Sequence, residues 1–61
     1  METKVAYEWA KEIAHAAQEA ARRSGASVAS EARIRLRNVP VQLRMATYQL
    51  LSARGIFDKG E

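Results

Sequence analysis

Apolar residues recur along the first part of the chain with the period of a helix. Val5, Trp9, Ile13, Ala16 and Ala20 stand four, four, three and four residues apart, which places them on one stripe of an α-helix. A second row, Ala6, Ala10, Ala14, Ala17 and Ala21, runs beside it. That row has no bulk, so another helix can approach it closely. Lys4, Lys11, Gln18 and Arg22 fall opposite, with Glu8, His15 and Glu19 nearby. The pattern predicts a first helix over about residues 3–23. Trp9 and Ile13 are its expected core anchors, and Tyr7, off the stripe, is expected to be exposed.

Ser24-Gly25-Ala26-Ser27 follows. Gly25 can take the left-handed conformation that ends a helix. Ser27 can accept a hydrogen bond from the free N–H groups of the next helix, and Glu31 then lies where the helix dipole favours an acid. So short a connection implies antiparallel neighbours.

Val28, Ala32, Leu36, Val39, Leu43, Ala46, Leu50 and Ala53 carry a helical period from one side of Pro40 to the other without losing phase. This predicts one second helix over about 28–54, kinked at Pro40, with a break at Asn38-Val39 as the alternative. Gly55 is the expected cap. Residues 55–61 are the expected flexible tail, with Ile56 or Phe57 able to fold back on the last turn. The second helix carries a further apolar stripe, Ile34, Val41, Met45 and Tyr48, almost opposite the first. Arg33, Arg37 and Arg44 line one flank between the stripes. Glu31, Arg35, Asn38, Gln42 and Gln49 line the other.

A two-helix hairpin can cover only one of those stripes. The fold expected from the sequence is therefore an all-α antiparallel hairpin that dimerises into a four-helix bundle. Trp9, Ile34, Val41 and Met45 are the expected dimer interface. Size strengthens this expectation. A chain of 61 residues is one domain at most and marginal alone. Small folds usually need a disulfide, a metal or a second copy. The chain has no cysteine and one histidine, so neither a disulfide nor a structural zinc site is expected.

Charge adds a direction. Residues 2–23 hold four acids and four bases, which cancel, whereas five arginines and no acid lie between Arg33 and Arg54. The net charge of +3 therefore comes from the second half, and arginine favours bidentate contacts to carboxylate or phosphate. Arg33, Arg37, Arg44, Tyr48 and Phe57 are the expected partner-binding residues. The expected partner, besides a second copy, is a protein with an acidic or mixed surface. The alternative is a nucleic acid gripped through its phosphates by Arg33, Arg37 and Arg44.

Two resemblances bear on these readings. AARRSGASVASEARIRL (residues 20–36) resembles the helix–turn–helix half of the ribbon-helix-helix DNA binders, with TKVAYEW (residues 3–9) as the strand. That register would turn the Val5, Trp9, Ile13 stripe into an irregular strand, so the helical reading is preferred. Short, basic, cysteine-free hairpins are also similar in outline to small inhibitors encoded by bacteriophages and mobile elements. That outline implies inhibition of a host regulatory or defence protein.

No glycine-rich phosphate loop, nucleophile motif or metal-ligand spacing occurs. His15 and the Glu8, Glu12 pair read as a solvated face. Neither enzymatic activity nor a cofactor is expected. No run of apolar residues reaches the length of a membrane span, and the N-terminus lacks a signal-peptide pattern, so the expected compartment is the cytoplasm.

Overall fold

A computed structural model describes residues 2–57 of the chain. Three α-helices are found among them: α1 (Glu2–Ser24), α2 (Val28–Leu36) and α3 (Val41–Ala53). α1 is the spine. α2 and α3 both pack against it and touch each other little.

The α1–α2 turn closes through local chemistry. Gly25 takes φ +80°, and its N–H bonds the Ala21 carbonyl at 2.8 Å. The Ser24 hydroxyl donates to the Ala20 carbonyl at 2.9 Å. Ser27, extended at φ −78° and ψ 149°, accepts the Ser30 N–H on its hydroxyl oxygen at 3.0 Å. Such caps satisfy orphan groups at a helix end and stabilise by about 1 kcal/mol.

The expectation of one kinked second helix is overturned, because the helix ends before Pro40 and a new one starts after it. In a continuous helix the Leu36 carbonyl would face residue 40, and proline has no N–H to give it. Here that carbonyl accepts from Val39 N–H at 3.1 Å, and Arg35 accepts from Asn38 at 3.0 Å. Proline also disfavours helical backbone at the residue before it. Pro40 itself is extended, at φ −52° and ψ 140°. The unbroken phase had another cause. Leu36, Val39 and Leu43 are all buried because the corner presses all three toward α1.

With the break, the hairpin and its dimerisation into a four-helix bundle are also overturned. The chain closes its own core as a compact three-helix monomer. The alanine row of α1 forms the floor: Ala6, Ala10, Ala14, Ala17 and Ala21 are buried together with Ile13. Leu36, Val39, Leu43, Leu51, Ile56 and Phe57 supply the volume above it. Of the flanking stripe, Ile13 is a core residue as expected, whereas Val5 is exposed and Trp9, Ala16 and Ala20 are half-buried. On α3 the buried row is Leu43, Thr47 and Leu51, one step round from the expected Ala46, Leu50 and Ala53. TKVAYEW lies inside α1, which removes the strand that the ribbon-helix-helix resemblance requires.

α3 ends in a Schellman turn. Gly55, at φ +84°, donates to the Ser52 carbonyl at 2.9 Å, and Ile56 reaches back to the Leu51 carbonyl at 3.1 Å. The reversal satisfies carbonyls at the helix end and returns Ile56 and Phe57 to the core, where both are buried. The remainder of the expected tail, residues 58–61, lies outside the described residues.

Thr47 is a polar exception in this core. It is fully buried, and its hydroxyl has no hydrogen-bond partner among the described residues. Leaving such a group unsatisfied costs about 1–3 kcal/mol. Thr47→Val keeps the branched shape and removes the hydroxyl. It is expected to stabilise by about 1 kcal/mol, a rise of roughly 4–8 °C in the melting midpoint. A lower midpoint by differential scanning calorimetry would show that the hydroxyl is satisfied in solution.

Candidate functional site

α2 and α3 diverge from the Pro40 corner, and their outward sides stay open. Six large hydrophobic side chains are exposed among the described residues, and four lie on these two helices: Ile34, Val41, Met45 and Tyr48. Val41 is 73% exposed and Met45 67%. Leu36, Val41, Arg44, Met45 and Tyr48 line a shallow groove of about 400 Å³. Ile34, Val41 and Met45, expected at a dimer interface, are thus at the surface, and Trp9 lies elsewhere, on the flank of α1.

The expected partner-binding residues divide into three kinds. Arg33, Tyr48 and Phe57 are brought together. Phe57 stacks on Tyr48 with ring centroids 4.9 Å apart, and the Arg33 guanidinium sits 5.7 Å from the Phe57 centroid. Phe57 is therefore the buried support of this cluster, with Tyr48 and Arg33 as its outer parts. Arg44 is committed to the corner. Its guanidinium donates to the carbonyls of Val39 at 2.9 Å and Arg37 at 3.3 Å. A cation suits these carbonyls at the end of α2, so Arg44 both holds the α2–α3 corner and walls the groove. Arg37, the C-cap of α2, is exposed.

Positive charge predominates from α2 to α3: Arg33, Arg35, Arg37 and Arg44 lie along this path, with one acid, Glu31. From Ala32 to Phe57 the chain has five arginines and no acid. Arg35 is neutralised locally by Glu31 at 2.7 Å, and the other described arginine–glutamate pair, Arg22 with Glu19 at 2.9 Å, lies within α1. At the far end of α3 the Arg54 guanidinium stands 5.8 Å from the Tyr7 centroid. That contact joins the end of α3 to α1.

Catalytic or metal chemistry would need convergent ligands. Among the described residues no group of three or more His, Cys, Asp or Glu could hold a metal ion. His15 is exposed on α1. No helix among the described residues is long and apolar enough to cross a membrane.

Trp9, expected as a core anchor and dimer-interface residue, is half-buried on the flank of α1. Glu8 and Glu12, read from the sequence as a solvated face, are exposed on α1. Comparison with known proteins finds no family model, no curated protein and no solved structure that matches this chain.

Proposed function

We propose that the chain is a small protein-binding module without catalysis of its own, which covers a partner's surface with its α2–α3 face and so inhibits it. The observation that carries this reading is the composition of that face. Four exposed large apolar side chains lie among arginines with no acid in the same stretch of chain. Aromatic residues, methionine and arginine are the types enriched where proteins bind one another. The matching partner surface has an apolar centre and an acidic rim. The cytoplasm is the proposed compartment, on the cysteine-free composition.

The test is capture of a partner by the immobilised chain from nuclease-treated lysate of the source cell. The wild type is expected to retain one stoichiometric protein at physiological salt and still at about 0.5 M, where phosphate contacts are screened. Val41→Asp with Met45→Asp should abolish that capture, and Arg37→Glu should weaken it. All three sites are exposed, so the melting curve should move little. Equal capture by the double variant would refute the docking face. Recovery of nucleic acid alone, lost with nuclease and salt, would replace the reading with phosphate recognition by the arginines.

A further inference from the structure

The α2–α3 groove has two properties that select what can lie in it. The first is that it offers side chains and no main chain. Val41, Met45 and Tyr48 stand four and three residues apart on α3 and form an apolar wall about 10 Å long at 1.5 Å per residue. Main-chain groups between Met45 and Tyr48 are spent inside the helix. No β-strand occurs among the described residues, so no sheet edge is open to an added strand. An extended peptide laid here would find no partners for its own N–H and carbonyl groups, whereas a helix satisfies its own.

The second property is that positive charge stands at one end, the Pro40 corner. The Val39 and Arg37 carbonyls both hold Nη2 of Arg44, which fixes the guanidinium and leaves its other nitrogens able to donate. Arg37 is exposed at the same corner. Neither arginine has an acid three or four residues before or after it. The described ion pairs join Arg22 to Glu19 and Arg35 to Glu31 and involve neither. α3 also begins there without a side-chain cap and with no acid in its first turn, so its dipole adds to the positive potential.

We infer, on the reading of the α2–α3 face as the docking surface, that its occupant is an acidic amphipathic helix of a partner protein. That helix lies along α3 with carboxylates over the Pro40 corner. Its apolar anchors at i, i+3 or i+4, and i+7 meet Val41, Met45 and Tyr48. Its acids meet Arg37 and the remaining donors of Arg44, in the geometry by which a guanidinium takes a carboxylate in two parallel bonds. Arg44 is already immobilised by its carbonyl bonds, so it loses little freedom when the partner arrives. Tyr48 is likewise held, stacked on the buried Phe57. A basic helix of the same shape would bring like charge to the corner and be rejected. The apolar wall thus supplies contact area, and the corner supplies the choice of partner.

The experiment titrates the full chain with a synthetic helix of about 18 residues, long enough to stay helical, built from leucine, alanine and glutamate. Methyl resonances of the protein are followed by NMR. The expected result is a saturable shift of the Met45 methyl, with Val5 on α1 unmoved. A matched helix with lysine in place of glutamate should bind at least about ten-fold more weakly. Arg37→Glu should weaken the acidic helix at least about five-fold with an unchanged circular dichroism melt, since Arg37 is exposed. No saturable shift, equal affinity for the lysine helix, or undiminished binding by Arg37→Glu would overturn the inference. So would a Met45 shift produced by a single-stranded oligonucleotide and not by the glutamate helix, which would assign the corner to phosphates. The docking face itself is decided by capture through Val41 and Met45. Capture that needs those residues while the glutamate helix fails would overturn only this occupant. Capture that does not need them would refute the face.

Discussion

Truncation of Leu51 to alanine is expected to remove about 2–5 kcal/mol of stability, as fully buried leucines do. A domain of 61 residues has roughly 3–9 kcal/mol in total, at about 0.05–0.15 kcal/mol per residue. Much of the chain should therefore be unfolded at physiological temperature. Leu51 is 0% exposed and sits where three supports meet. It lies on the buried row of α3, it accepts the Ile56 N–H in the Schellman turn, and it belongs to the cluster that contains Phe57. The cavity left behind would loosen the fold-back of Ile56 and Phe57 and, through Phe57, the Arg33–Tyr48 cluster. Leu50, its half-buried neighbour, serves as the control. Leu50→Ala is expected to cost less than half as much in urea denaturation followed by circular dichroism. A larger loss at Leu50 than at Leu51 would mean that α3 is rotated to bury Ala46, Leu50 and Ala53.

The second large effect is expected in the opposite direction of volume. Ala10→Leu should destabilise by about 1–3 kcal/mol, the usual range for overpacking, and by more if the helices cannot separate. Ala10 is 0% exposed on the face of α1 where α2 and α3 close from both sides. Added methylenes there must push one helix away. Ala20→Leu makes the same chemical change on the half-buried flank of α1, where space is open, and should stay within about 0.5 kcal/mol. Equal melting midpoints for the two variants would mean that the alanine row is not the packing face.

Much of the helix content was legible because it rests on local chemistry. All-α structure followed from alanine-rich periodic stretches. The turn at Gly25 and Ser27 needs only a left-handed residue and a capping hydroxyl, and both types stand in the sequence. The corner at Pro40 was legible only as the alternative, a break at Asn38-Val39, because an unbroken period suits one kinked helix as well. A short connection of suitable length keeps phase as well as a helix does, provided Val39 points inward. Close approach to the alanine row was legible, but not that the row, rather than Val5 and Trp9, forms the floor of the core. Hydrophobicity ranks Trp9 above Ala10, but where two helices converge on a third the deciding quantity is size. The dimer followed from the premise that only one side of the second helix could be covered. Two shorter helices on one spine cover one side each and leave Ile34, Val41, Met45 and Tyr48 outward. Those four residues were already visible as a stripe. That Arg44 caps the corner was not visible, because its acceptors are carbonyls exposed only by the break.

The alanine floor of α1 also governs how such a chain could diverge. At Ala6, Ala10 and Ala17, each 0% exposed, a larger residue forces the helices apart. The one smaller residue, glycine, costs about 1 kcal/mol inside a helix. These sites have almost no neutral neighbours in sequence space. The outward sides of α2 and α3 carry no such restriction. Mutational drift would therefore collect on the surface proposed to meet a partner, and binding preference could be rewritten many times over an unchanged interior.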